Sequence, residues 1–216
     1  MSVAIAFDLF GTLVDAERPA DPAGAVAAEL RERDVRVPDD WQTAYTEPHI
    51  DAPEGSEVPL PAHVSSALAS RGVDAPNNAS RRAVVAAFDP IVESKPAAPT
   101  AIEAAAEYGP VGLLSNCSVP ELVGRTLIRS SCSREEFDAV VSSVGCGWRK
   151  PHRQAFETLA DRLSISVEQL IYIGDTPATD GGIVDCGGTF IDITECSLSE
   201  LPARLKTEVS ERSNDT

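Results

Sequence analysis

Five short apolar runs, set apart by helix-length segments, confine this chain to a narrow set of architectures. Residues 3–7, 111–114, 139–141, 170–173 and 190–193 are dominated by Val, Ile, Leu and Ala and are too short for buried helices. That is the pattern of strands covered on both faces. Between them lie helical signals. Thr100 with Glu103 has capping-box spacing, as does Ser118 with Glu121 ahead of a helix to Ile128. Residues 151–163 read as an amphipathic helix, and Ser197 with Glu200 opens a last one carrying Leu198, Leu201 and Leu205. The polar tail beyond Glu211 is expected to fray. Strands joined by helical crossovers predict an α/β fold, a Rossmann-like, doubly wound parallel sheet.

Residues 16–95 break the alternation. They suggest helices near 21–34, 61–71 and 79–88, joined by Pro- and acid-rich turns, with no strand pattern. The expectation is a helical insertion after the first strand, leaving 1–15 and 96–216 as one discontinuous core domain. Trp41, Tyr45, His49 and His63 fall inside the insertion and are read as packing residues rather than a binding site.

A chain of 216 residues with 43% hydrophobic content can bury one core and a small subdomain. A net charge of −16 opposes binding to nucleic acid or anionic membranes. Only Lys95, Lys150 and Lys206 are lysines. An acidic, lysine-poor surface suits high salt, where the Debye length falls to about 3 Å at 1 M; an acidic chain without that adaptation has the same composition. Cys117, Cys132, Cys146, Cys186 and Cys196 show no paired spacing and read as reduced thiols. The apolar start is broken by Asp8 and lacks a basic flank, and no run approaches the ~20 apolar residues of a spanning helix. A cytoplasmic location is therefore expected. Oligomeric state leaves no trace in the sequence.

Asp8 ends the first apolar run and is followed by Leu9-Phe10-Gly11-Thr12. A carboxylate at the carboxyl edge of a parallel sheet is placed to act as a nucleophile, although an aspartate there also serves as a turn or cap residue. Gly11 permits a tight turn whose amides can meet phosphate oxygens. Ser115-Asn116 after the second core strand, Lys150-Pro151 with Phe156 beyond, and Gly174-Asp175 with Asp180 complete a set of four segments. Each has an ordinary structural use when taken singly. In order and spacing the four together resemble the haloacid dehalogenase-like hydrolase superfamily, in its class with a helical cap inserted after the first strand.

The resemblance implies a hydrolase of a small-molecule substrate, with Asp8 as nucleophile and Ser115, with the neighbouring amide at Asn116, holding the oxygens of the transferring group. It implies that Lys150 neutralises developing charge, and that Mg2+ is bound by Asp8, Asp175 and the backbone carbonyl of Phe10. Asp180 would bind that ion through water or orient Lys150 and Asp175. Magnesium wants oxygen ligands, and three converging carboxylates without a cation would repel one another.

One position departs from the family. Its phosphatases carry a second aspartate two residues after the nucleophile, which protonates the leaving alcohol; here that residue is Phe10. Loss of a general acid–base costs about 10² to 10⁴ in rate. Three readings follow: a phosphatase weakened toward poor leaving groups, a 2-haloacid dehalogenase, or a weakly catalytic binding or regulatory protein. Dehalogenases carry an aromatic residue at this position but work without magnesium and have a serine-rich segment in place of Gly174-Asp175. Retention of Asp8, Lys150, Asp175 and Asp180 speaks against the third.

Overall fold

A computed structural model describes residues 3–214. Five of its strands form one parallel sheet: β1 (Ala4–Phe7), β4 (Val111–Ser115), β5 (Ala139–Ser142), β6 (Leu170–Gly174) and β7 (Thr189–Asp192), in the order β5-β4-β1-β6-β7. β1 lies at the centre, where the chain first builds outward on one side and then returns to build on the other. Loops leaving the carboxyl ends of strands on either side of such a switch point diverge and open a crevice. Asp8 follows β1, Ser115 ends β4 and Asp175 follows β6, so all three reach that crevice.

Both faces of the sheet are covered. Ile5 and Phe7 point into a core shared with the helix Ala98–Ala106 and the last helix, Leu201–Asn214. Ala4 and Ala6 point the other way, toward Phe156 and Leu159 on the helix Arg153–Arg162. Ala6 pairs in register with Tyr172. The small neighbour leaves room for a large ring on that face.

Two more strands were not expected. β2 (Val14–Ala16) and β3 (Val92–Ser94) pair antiparallel as a separate ribbon. They stand at the two ends of residues 16–95 and bring those ends together. Three residues carry too little alternation to register. Between them lie Pro22–Arg31, Leu60–Ala69 and Ala79–Ala87, close to the three expected helices, and a fourth, Trp41–Thr46. This helix is too short to show a period. Its Trp41 indole donates to the Ala23 carbonyl at 2.8 Å, and Tyr45 meets the His63 ring edge-on, so these residues pack as expected.

Three expected helix boundaries shift. The helix expected at Thr100 starts at Ala98, with Pro99 in its first turn, where a missing N–H costs nothing. Ser118 does not cap the next helix, which begins at Leu122 behind Glu121 in a left-handed conformation, with no side-chain cap. The final helix runs to Asn214, three residues past Glu211, and Arg212 donates to the Glu168 carbonyl at 3.1 Å; the rest of the tail expected to fray, residues 215–216, lies outside the described residues. Ser197 with Glu200 closes the turn that leads into it, the carboxylate accepting from the Ser197 amide at 3.0 Å, and the helix itself begins at Leu201, leaving Leu198 ahead of it. The five cysteines are free thiols, and burial pushes Cys117 and Cys132 up to about 11. Among the described residues, no helix is long and apolar enough to cross a membrane.

Candidate active site

The loop after β1 is folded back on itself. The Asp8 amide donates to Ile173 of β6 at 2.9 Å, extending the ladder by one residue, and Leu13 and Val14 both donate to the Leu9 carbonyl. Gly11 sits at φ +89°, and a Cβ there would overlap the Asp175 carboxylate. Its amide is committed to the Val14 carbonyl at 2.8 Å. Gly11 makes the expected turn and leaves room for Asp175; its own amide is committed, so any phosphate contact from this loop would come from another amide. Thr12, fully buried, donates to Asp175 at 3.0 Å and fixes that carboxylate from below.

Gly11→Ala is expected to damage this arrangement in two ways. A positive φ costs an L-residue on the order of 1–2 kcal/mol, and the methyl would displace Asp175. At ~2–4 °C per kcal/mol for a chain of this size, the melting temperature should drop by roughly 2–8 °C. A variant that melts with the natural protein would contradict the assigned strain.

Opposite the loop lies Lys150, only 2% exposed. Its backbone is clamped by Asn116, whose carboxamide donates to the Lys150 carbonyl at 2.9 Å and accepts from its amide at 2.8 Å. The Asn116 side chain thus places Lys150; the expected substrate contact falls to its backbone amide alone. The ammonium donates to Asp180 at 2.6 Å and to the Tyr172 hydroxyl at 2.7 Å, and lies 3.0 Å from Asp8 Oδ1. That last contact is an ion pair without hydrogen-bond alignment, so Oδ1 stays buried with no directed donor. Asp180 is fully buried, its other oxygen accepting from the Thr176 amide at 3.0 Å.

Asp8, Asp175 and Asp180 each place a carboxylate oxygen within 4.8 Å of the others. Burial raises the Asp8 carboxyl above its ordinary range, the Lys150 charge pulls it back, and the Asp180 charge adds to the rise. Three carboxylates this close, facing a single ammonium, suit an oxygen-liganded cation. The Ser115 hydroxyl is also buried and has no partner within the protein.

Asp8, Ser115, Asn116 and Lys150 line one cavity of about 450 Å³. Phe10, Phe88, Val119 and Leu122 give it an apolar wall, and Arg18 and Arg149 border it. The structure therefore brings together the residues singled out in the sequence, with Asp175 and Asp180 joined through the carboxylate cluster. Two contributors were missed. Thr12 looks like an ordinary turn hydroxyl, and Tyr172 is hidden in an aliphatic strand; a phenol buried in a sheet core does signal a polar partner.

Residues 3–182 match the haloacid dehalogenase-like hydrolase family. The chain belongs to it. Among solved structures of similar fold is a 2-haloacid dehalogenase from Pseudomonas syringae pv. Tomato, 16% identical, with TM-score 0.59 and coverage of 89% of this chain and 86% of that one. A family enzyme from Bacteroides thetaiotaomicron, in complex with magnesium and inorganic phosphate, is 14% identical, with TM-score 0.58 and coverage of 89% and 94%. A predicted phosphoglycolate phosphatase from Haemophilus somnus is 16% identical, with TM-score 0.54 and coverage of 88% and 84%. At these identities the likeness concerns the fold. No curated protein matches the chain in sequence. As a haloacid dehalogenase-like hydrolase it is an enzyme of a family whose structural neighbours include both phosphatases and dehalogenases.

Proposed function

We propose that this hydrolase is a Mg2+-dependent phosphatase for a small phosphorylated metabolite, acting through Asp8 and weakened toward poor leaving groups by Phe10. The observation that carries the reading is the convergence of three carboxylates, Asp8, Asp175 and Asp180, around which Lys150 is the one cation paired among the described residues. Residues 1–15 and 96–216 form the catalytic core in this reading, and 16–95 the helical cap that closes over the substrate.

Asp8, Asp175 and the Phe10 carbonyl would hold the ion, which when bound neutralises the carboxylates and offsets charge on a phosphoryl oxygen. Asp8 attacks phosphorus as the bond to the leaving oxygen breaks, and water later cleaves the acyl phosphate. Ser115 and the Asn116 amide hold the phosphoryl oxygens, Lys150 balances the charge that develops there, and Asp180 orients Lys150. The leaving oxygen departs with the electron pair. Phe10 cannot protonate it, so anhydrides and activated esters are favoured. Arg18 and Arg149 make no ion pair among the described residues, which suits an anionic substrate in an otherwise acidic protein. One observation favours a second reading, as a 2-haloacid dehalogenase: the aromatic Phe10 beside the nucleophile, since halide leaves without a proton.

The deciding assay measures hydrolysis of 4-nitrophenyl phosphate with magnesium and with chelator, alongside chloride release from 2-chloropropionate, at low and at high potassium chloride. Magnesium-dependent nitrophenol release with no chloride is expected. Chloride release without magnesium would move the assignment to the second reading. Magnesium at a hundred times its dissociation constant should add about 2.7 kcal/mol to stability, a rise of roughly 5–10 °C in melting temperature. No rise at constant ionic strength would count against the ion.

A further inference from the structure

Tyr172 is a phenol at the centre of a parallel sheet, fully buried, and none of the roles above uses it. Its ring is fixed on two sides. Ala6, its register partner on β1, leaves the space, and Phe156 packs edge-on at 5.4 Å between centroids. The hydroxyl has one proton, which it donates to the Leu114 carbonyl on β4 at 2.5 Å. With that proton committed, only a lone pair faces Lys150 Nζ at 2.7 Å. Burial, and then the charges of Asp8, Asp180 and Asp175, hold the phenol well above 10, so it remains a neutral acceptor.

We infer that Tyr172 is a positioning residue, which holds the Lys150 ammonium between the two aspartates so that it faces the nucleophile. An ammonium has three N–H directions. Asp180 takes one at 2.6 Å, and Asp8, at 3.0 Å, is less directly engaged. With two carboxylates alone the ammonium would settle onto the closer, fully buried Asp180. The phenol oxygen supplies a third anchor that is uncharged and rigidly borne by two strands. It fixes the direction of the positive charge without adding to the negative charge already crowded there. Leu114, which aims the hydroxyl, directly precedes Ser115, so one short stretch of β4 serves both the ammonium and the expected oxyanion contact. The catalytic part of this inference rests on the phosphatase reading; the placement of the ammonium does not.

Tyr172→Phe keeps the ring and removes only the anchor. Its kcat for 4-nitrophenyl phosphate should fall about 10- to 100-fold, the range for losing a group that orients a functional ligand, with KM nearly unchanged. In a Lys150→Met background the same change should cost nothing further. The ammonium can also be watched directly. With three lysines in the chain, the Lys150 side-chain ¹⁵N–H₃⁺ signal is assigned by its loss in Lys150→Met. It should be slowly exchanging in the natural protein, and broadened or shifted in Tyr172→Phe even though circular dichroism shows the fold retained. An unchanged ammonium signal in Tyr172→Phe overturns the inference. So does an altered signal with unchanged kcat, or a full additional loss in the Lys150→Met background. If the natural protein hydrolyses no phosphate ester at all, the phosphatase reading falls, and the ammonium signal still decides whether Tyr172 holds Lys150.

Discussion

Asp8→Asn should lower turnover of 4-nitrophenyl phosphate by about 10⁴-fold or more, the scale of losing a nucleophile, while the protein melts no lower than before. The two halves come from one arrangement. An amide has nearly the shape of the carboxylate but cannot form the acyl phosphate, so no phosphorylated protein should appear by mass spectrometry. The stability half follows from burial. The folded-state pKa of Asp8 is raised, so at pH values above its ordinary 3.8 its ionisation works against folding. Asparagine removes that opposition, and Lys150 still keeps Asp180 and Tyr172. Without added magnesium the variant should therefore be as stable as the natural protein, or more so, near neutral pH. The preparation must be free of contaminating phosphatase and of deamidated protein. Appreciable residual turnover under those conditions would remove Asp8 from the nucleophile's role.

The sheet was legible because its three central strands are buried along their whole length and read as short apolar runs, with β5 and β7 half-buried at the edges. Their order was not. That β1 lies between β4 and β6 follows from crossover geometry, which leaves no local mark. What local pattern missed was what is short: the β2–β3 ribbon and the helix Trp41–Thr46 span too few residues to reveal a period. Capping boxes were right where the side chain truly closes the turn, as at Ser197 and Glu200. They misled at Ser118 and Glu121, where Glu121 instead pairs with Arg81 and Arg125.

The candidate site was legible only from four segments taken together, since a strand-end aspartate such as Asp8 or Asp175 is as ordinary in a turn or cap. Its supporting contacts were hidden, because they join residues far apart in the chain. Thr12 bonds a carboxylate 163 residues away, and Asn116 clamps a lysine 34 residues away. Gly11 makes the turn its residue type announced, and the fold uses its missing side chain to clear space for Asp175, which the sequence did not show. Spacing told which residues would meet; only packing told which of their atoms are engaged.

Phe10→Asp should restore what the loop lacks. If this is a phosphatase scaffold missing only its acid, the natural protein's rate falls steeply as the leaving group becomes more basic. Nitrophenyl and acyl phosphates turn over, and simple alkyl or sugar phosphates barely react. The variant should raise the poor substrates by ~10² or more, the scale of general acid catalysis, and leave the good ones nearly unchanged. Phe10 borders the cavity and packs partly against the core, so the new carboxyl replaces some apolar contact and must find hydrogen-bond partners. It also adds an acid beside Asp8, Asp175 and Asp180, which raises its own pKa. That shift favours the protonated form an acid needs, and magnesium relieves part of the repulsion. The gain should therefore be larger for alkyl phosphates at mildly acidic pH than at alkaline pH. A natural protein whose rate ignores leaving-group basicity already has a proton donor. Glu57, which lines the same cavity and accepts from Ser143 at 2.5 Å, would then be the first residue to replace.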